Sequence, residues 1–362
     1  MTHRPAHIVP LLAAGALVAA ACGDGGDDDV ASDGDDGGSE VVLVTHDSFN
    51  VSPEVLEAFT ATSGIEVRLL QGGDAGSVVN QAVLTEGNPQ GDVLFGIDTG
   101  FLTRGLDAGI FEPYESPALA EVPDELQTDP EHRVTPVDTG DVCLNYDRAF
   151  FDAPGAPPVP ATLADLTDPV YEDLLVVEDP STSSPGLAFL YATIDTFGEG
   201  EDGWEAYWSE LRNNGVTVAA SWDDAYYGEF SGGSGSEGDK PLVVSYASSP
   251  PAEVLFAEPP VDEAPTGVIE ASCIRQIEYA GVLAGAANPE GARALVDFLL
   301  SEEFQADVPL QMFVFPVREG VALPPVFEEH AAQPAELIEL DPFAIGETRE
   351  ANVERWIELV LR

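Results

Sequence analysis

Val41-Val42-Leu43-Val44-Thr45 is an unbroken, mostly β-branched apolar run, the pattern of a buried strand. Ser52-Pro53-Glu54 then supplies an N-cap with proline in the first turn, and Val55, Leu56 and Phe59 recur at helical spacing until Gly64 closes the helix. Ile65 to Leu69 reads as the next strand. Val78, Val79, Ala82 and Val83 mark a second helix, and Asp92 to Ile97 a third strand. The middle of the chain repeats this traffic. Leu174 to Val177 is a strand, Ser184-Pro185-Gly186 opens a helix through Leu187, Phe189 and Leu190, and Trp204, Tyr207, Trp208 and Leu211 form a helical stripe of core character. Val216 to Val218 and Leu242 to Ser245 add strands. Ser231 to Asp239, rich in Gly and Ser, reads as an exposed loop insertion, and helices are expected over 292–300 and 351–361. Strands alternating with helices predict an α/β fold built on parallel pairing, with ligand chemistry at strand ends. No internal repeat is visible.

The first forty residues have a different character. Arg4 precedes an apolar run from Ile8 to Ala21, interrupted by Pro10 and Gly15 and ending at Cys22. A basic start, a short apolar stretch and small residues describe an export signal, too short for the ~20 residues that span a bilayer. Val18-Ala19-Ala20-Ala21-Cys22 resembles a bacterial lipobox, so residues 1–22 are expected to be a lipoprotein signal with Cys22 as the lipidated residue. Residues 23–39 hold only Gly, Asp, Ser, Ala and Val. They have almost nothing to bury and are expected to form a disordered, self-repelling tether.

The formal net charge is −53, with 66 acidic residues against 13 Lys and Arg. Such a surface repels nucleic acid and anionic lipid, both of which need a basic footprint. Its bland reading is solubility in a saline medium. Beyond Cys22 only Cys143 and Cys273 remain, which in an exported chain is compatible with one disulfide or with two separate thiols. No CxxC motif is present, and His46, His132 and His330 are widely spaced, so no zinc or other metal site is expected. The chain also lacks GxSxG, HExxH and GxxxxGK[ST], the usual residues of hydrolases and nucleotide hydrolysis.

The most informative residues lie at Trp222-Asp223-Asp224-Ala225-Tyr226, just upstream of a strand ending Tyr246-Ala247-Ser248-Ser249-Pro250. Aromatic faces beside carboxylates suit a flat organic cation, the rings by stacking and cation–π attraction and the acids by charge. Equally, aromatics near strand ends are commonly core residues.

Read in order, further motifs resemble those of the solute-binding component of thiamine ABC transporters. They are Asp47-Ser48-Phe49 after the first strand, Gly91 to Asp98, Asp138-Thr139-Gly140 before a strand ending Asn145-Tyr146-Asp147, and Glu178 to Leu187, joined by the Trp222 and Tyr246 segments. The similarity covers residues 40–360. The family often carries Tyr where His46 stands and Trp close to Phe313. The resemblance implies a two-lobed periplasmic-binding-protein-like α/β fold, two mixed sheets with flanking helices joined by hinge strands. Lobe 1 would comprise residues 40–140 and 274–362, and lobe 2 residues 141–273. It also implies a monomeric extracytoplasmic receptor, held to the cell membrane by its N-terminal lipid, that captures thiamine or a thiamine phosphate and passes it to a membrane permease without a cofactor. An iron(III) or polyamine receptor of the same fold is the alternative, and an extracytoplasmic enzyme the more distant one.

On that reading Trp222 and Tyr246 stack on the ligand rings, with Tyr226 beside them and His46 or Phe313 opposite. Asp47, Asp98 and Asp138 offset the cation, each with turn or capping duty as the competing role. Ser48 and Ser248 contribute hydroxyls. Ser183 and Ser184, at a predicted helix N-terminus, would favour a phosphate tail. Cys143 and Cys273 fall in the two strands that the resemblance assigns to the lobe crossing, which expects them bridged.

Overall fold

The computed structural model describes residues 40–362. The expected export signal, the expected lipidation site Cys22 and the expected acidic tether lie outside the described residues. The first part of the chain forms β1 (Glu40–Thr45), α1 (Pro53–Ser63), β2 (Glu66–Gln71), α2 (Ala75–Leu84), β3 (Val93–Asp98), α3 (Leu102–Ala108) and β4 (Phe111–Glu112). A long strand β5 (Thr135–Asp147) leads through the short α4 (Arg148–Phe151) to β6 (Leu175–Glu178), α5 (Ser184–Phe197), α6 (Trp204–Asn213), β7 (Thr217–Ala219), β8 (Leu242–Tyr246) and α7 (Pro250–Leu255). The chain returns along β9 (Thr266–Leu283) and ends with α8 (Pro289–Leu299), α9 (Glu302–Gln311), β10 (Phe315–Pro316), α10 (Pro325–His330) and α11 (Pro342–Val360).

Local chemistry sets many of these boundaries. Pro53 starts α1, and Gly64, at φ +75°, ends it by donating its N–H to Thr60 O. Asp74, Ser183, Asn288, Ser301 and Asp341 cap α2, α5, α8, α9 and α11 with side-chain oxygens.

Ladder pairing joins the strands in the order β2-β1-β3-β9-β5-β8-β6-β7, with β4 added to β9 and β10 to β5. The parallel trio β2-β1-β3 and the parallel trio β8-β6-β7 flank one antiparallel pair, β9 and β5. The two expected sheets are therefore continuous through the two crossing strands. At the crossing the register breaks between Val142↔Ile274 and Leu144↔Ile269, and Cys143 is bridged to Cys273 there, Cα to Cα 4.3 Å.

One core lies under the first trio, where Val41, Leu43, Phe59 and Phe95 meet Leu295 and Phe304. The larger core runs along both halves of the sheet, from Val44, Leu94 and Phe101 to Leu187, Phe189, Trp204 and Trp208. Helix α11 packs against both α3 and α6. Trp356 meets Trp208 edge to face with centroids 5.3 Å apart, and Tyr191 on α5 donates its hydroxyl to Ile345 O (3.1 Å). The segment Ser231–Asp239 is less exposed than its composition suggests. Gly233 and Gly238 press against the backbones of Tyr226 and Glu229, which leave no space for a side chain. No helix among the described residues is long and apolar enough to cross a membrane.

Candidate functional site

Strand pairing alone creates the site's electrostatic floor. Glu278 on β9 stands opposite Asp98 on β3 and opposite Asp138 on β5, so three acids share one row of the sheet. Like charges so placed repel strongly in a buried setting, and protonation relieves the repulsion. Burial, with Glu278 next to it, pushes Asp98 up to about 7 and Asp138 well above the ordinary carboxylate range. Glu278 goes the other way: burial works to raise it, but His46 and the Asp138 carboxyl hold it below its usual value. His46 Nε2 lies 3.5 Å from Glu278 Oε1. Burial works to lower the imidazole, and the Glu278 carboxylate outweighs it and raises the pKa. These shifts favour an imidazolium–carboxylate pair backed by a protonated carboxyl at the floor. Gly96 makes room for it. Its φ is +94°, and a Cβ there would fall 2.3 Å from His46 Cδ2.

The aromatic wall comes from the second half of the sheet. Residues 224–229 form a single π-helical turn, a wide turn that recurs at functional sites. It stacks Tyr226 on Trp222, with centroids 4.9 Å apart and planes 23° apart, and sets Tyr227 edge-on at 5.5 Å. The indole Nε1–H donates to Ser245 Oγ (2.9 Å), which fixes the ring's orientation. Tyr246, at the end of β8, stands 6.4 Å from Trp222. It fits because Gly140 on β5 has no side chain; a Cβ there would sit 2.7 Å from the Tyr246 ring. Met312, Phe313 and Val314 form the facing wall, with Phe313 in the left-handed region at φ +55°. Phe256 closes the rim against Phe313, centroids 5.8 Å apart.

Polar contacts join the two sides. Asp74 Oδ2 accepts the Trp222 N–H (2.9 Å) while Oδ1 accepts the Ala75 N–H (2.6 Å). Ser48 donates its hydroxyl to Asp223 Oδ1 (3.2 Å). The cavity, partly open to solvent, has a volume of about 230 Å³. Its lining carries the acids Asp74, Asp223 and Glu278, the single base His46, and no lysine or arginine. Rings, buried carboxylates and small volume together make a receptacle for a small, flat, positively charged organic molecule.

A family model described as bacterial extracellular solute-binding protein matches residues 88–345. The chain belongs to that family. It is 29% identical over 327 residues to the thiamine-binding periplasmic protein of Escherichia coli (strain K12), covering 89% of this chain and 94% of that one. A putative 2-aminoethylphosphonate-binding periplasmic protein of Salmonella paratyphi A is 26% identical over 321 residues, 86% of this chain and 88% of that one. Among solved structures, a periplasmic thiamin binding protein superposes with a TM-score of 0.77 at 26% identity, over 90% of this chain and 97% of that chain. Iron-bound HitA from Pseudomonas aeruginosa shares the fold, with a TM-score of 0.69 at 20% identity over 89% and 99% of the two chains. This solute-binding chain thus has the mixed α/β fold of periplasmic binding proteins.

Of the residues singled out from sequence, the structure brings His46, Ser48, Ser184, Trp222, Tyr226, Tyr246 and Phe313 to one cavity. Five others do not line it. Asp98 and Asp138 are fully buried behind Glu278, because Asp98 closes β3 while Asp138 lies inside β5 rather than before it. Asp47 follows β1 with its N–H donating to Gly73 O and does not line the cavity, although its carboxylate acts by charge on His46 and Asp223. Ser183 is consumed in capping α5, and Ser248 is buried. Asp74, Glu278 and Phe256 have no place in the sequence reading, and Asp223 enters it only as a carboxylate of the Trp222 cluster. Asp74 had a usable signal, an acid in N-cap position before an apolar helix. Glu278 had a weaker one, an acid between Ile277 and Tyr279. Among the described residues no cluster of three or more His, Cys, Asp or Glu is arranged to hold a metal ion.

Proposed function

We propose that this receptor captures thiamine in the cavity beneath Trp222 and hands it to the membrane permease of an ABC importer. The carrying observation is the Trp222 ring, fixed by Ser245 and Asp74, beside Tyr246 and within a cavity lined by three acids. Trp222 and Tyr246 stack on the pyrimidine and thiazolium, and Asp74, Asp223 and Glu278 offset the cation. Thiamine-binding relatives that align over most of the chain support the same ligand. The chemistry is that of binding, and we assign no catalysis.

In this reading residues 40–140 with 274–362 act as one lobe and 141–273 as the other, and they open and close about β5 and β9. Contacts from α11 to α6 supply a second connection between them. Cys22 carries the lipid anchor, residues 23–39 form the leash, and the receptor works as a monomer outside the cytoplasm. Thiamine added to the protein should quench its tryptophan emission in a saturable way. Unchanged emission at millimolar thiamine would refute the assignment.

A further inference from the structure

Resting on that reading, we propose that Glu253 is a positioning residue. With Ser234 it holds the Tyr226 hydroxyl from behind, and through Tyr226 it sets the plane of Trp222. The first observation is the stack itself. The two rings lie 4.9 Å apart and 23° from parallel, so a tilt of the phenol is passed to the indole. Tyr226 is buried, and its hydroxyl is shut off from the cavity. That hydroxyl therefore meets protein rather than ligand.

The second observation is what stands at the hydroxyl. Glu253, on α7, is buried and does not line the cavity, whereas Ala252 and Phe256 on the same short helix do. Its Oε2 accepts the Ser234 hydroxyl at 2.5 Å. Tyr226 Oη and Glu253 Oε1 are both buried, and each lacks a hydrogen bond of good geometry. They face one another, a donor beside an acceptor, and either left alone would carry its full desolvation penalty. Burial raises the Glu253 carboxyl above its ordinary pKa, and the Ser234 and Tyr226 hydroxyls oppose that rise. Ser249 also faces the Tyr226 hydroxyl. Its Oγ lies 2.9 Å from Ser245 Oγ, the acceptor of the indole N–H. Both rings are thus held through one run of hydroxyls that ends at a single carboxyl.

The third concerns residues 231–239, which the sequence marks as a loop insertion with no role of its own. The segment is folded against this network. Ser231 N–H donates to Lys240 O and Lys240 N–H to Glu229 O, each at 2.9 Å, while Gly233 lies against the Tyr226 backbone too closely for any side chain. The loop closes the back of the π-helical turn and delivers Ser234 to Glu253.

Three variants of the full chain test this. Glu253→Leu keeps the bulk and removes the acceptor, Glu253→Gln keeps an acceptor, and Tyr226→Phe removes the hydroxyl alone. Near-ultraviolet circular dichroism reads the aromatic wall with no ligand present. Glu253→Leu should lose part of the aromatic signal and Glu253→Gln should keep it. In a Trp222→Phe background Glu253→Leu should have no such effect. Thiamine titrations read the consequence. Affinity should fall at least about fivefold in Glu253→Leu and in Tyr226→Phe, stay within about twofold in Glu253→Gln, and fall no further in the Tyr226→Phe, Glu253→Leu double variant. A folded Glu253→Leu protein with wild-type dichroism and affinity would overturn the positioning role. Equal losses in the Gln and Leu variants would overturn it too, because charge rather than the hydrogen bond would then be at work. Should Glu253→Leu fail to fold, wild-type affinity in Tyr226→Phe overturns the role and a fivefold loss supports it. Absence of thiamine binding by the wild type would sink the ligand assignment, while the dichroism comparison would still decide what positions Trp222.

Discussion

The acidic row Asp98–Glu278–Asp138 shows how far single residues could be read. Asp98 and Asp138 were visible as acids close to strand ends, but their placement behind the site depends on β9 lying between β3 and β5, which no local pattern encodes. Asp98 gives this arrangement a measurable signature. Its folded pKa is about 7 against an ordinary 3.8, raised chiefly by burial. The native state keeps this proton while the unfolded chain releases it above pH 3.8. The associated stability is complete below that pH and is lost as pH rises towards about 7. Asp98→Asn should therefore flatten the fall in thermal midpoint between pH 4 and 7, and an unchanged slope would contradict the assignment. Trp222 makes the complementary case. Its place at the cavity was legible because an exposed-looking Trp-Asp-Asp-x-Tyr cluster has no structural pattern of its own, and on the proposed function Trp222→Ala should weaken thiamine binding by about 1–3 kcal/mol. Circular dichroism should show the variant folded; a variant that instead melts with undiminished affinity per folded molecule would make Trp222 a core residue.

Among the elements, the helices and the apolar strands were legible because periodicity and capping chemistry are local. The crossing strands were only partly so. β9 runs for 18 residues, yet its pattern is interrupted by Glu270, Arg275 and Glu278, so only the stretch around Cys273 stood out. Here Gly140 and the disulfide do separate work. Gly140→Ala would drive a methyl into the Tyr246 ring, and thiamine affinity should fall several-fold while the disulfide stays intact. Wild-type affinity in that variant would show that the ring's position does not matter for binding. Replacing both Cys143 and Cys273 by Ala opens a sequence separation of 130 residues, nominally about 5 kcal/mol on the chain-entropy relation, with measured effects often smaller. Denaturant unfolding of oxidised and double-variant protein reads this difference, and coincident curves would deny the bridge a stabilising role.

At the scale of the whole molecule, the sequence conveyed the class of fold well and the division of labour at the chain's end less well. Residues 351–361 read as an amphipathic helix, but nothing in them announces a partner on α6. Trp356, fully buried against Trp208, is that partner's anchor. Truncating a buried tryptophan costs about 3–5 kcal/mol, so Trp356→Ala should destabilise the fold strongly although it lies outside the cavity. The site itself exists only because distant segments converge. Asp74 meets Trp222 and Ser48 meets Asp223 across the cleft. The most direct test of the account is one calorimetric titration of the full chain with thiamine. The account predicts saturable binding of one thiamine per chain, and the absence of any binding heat at millimolar thiamine would contradict it.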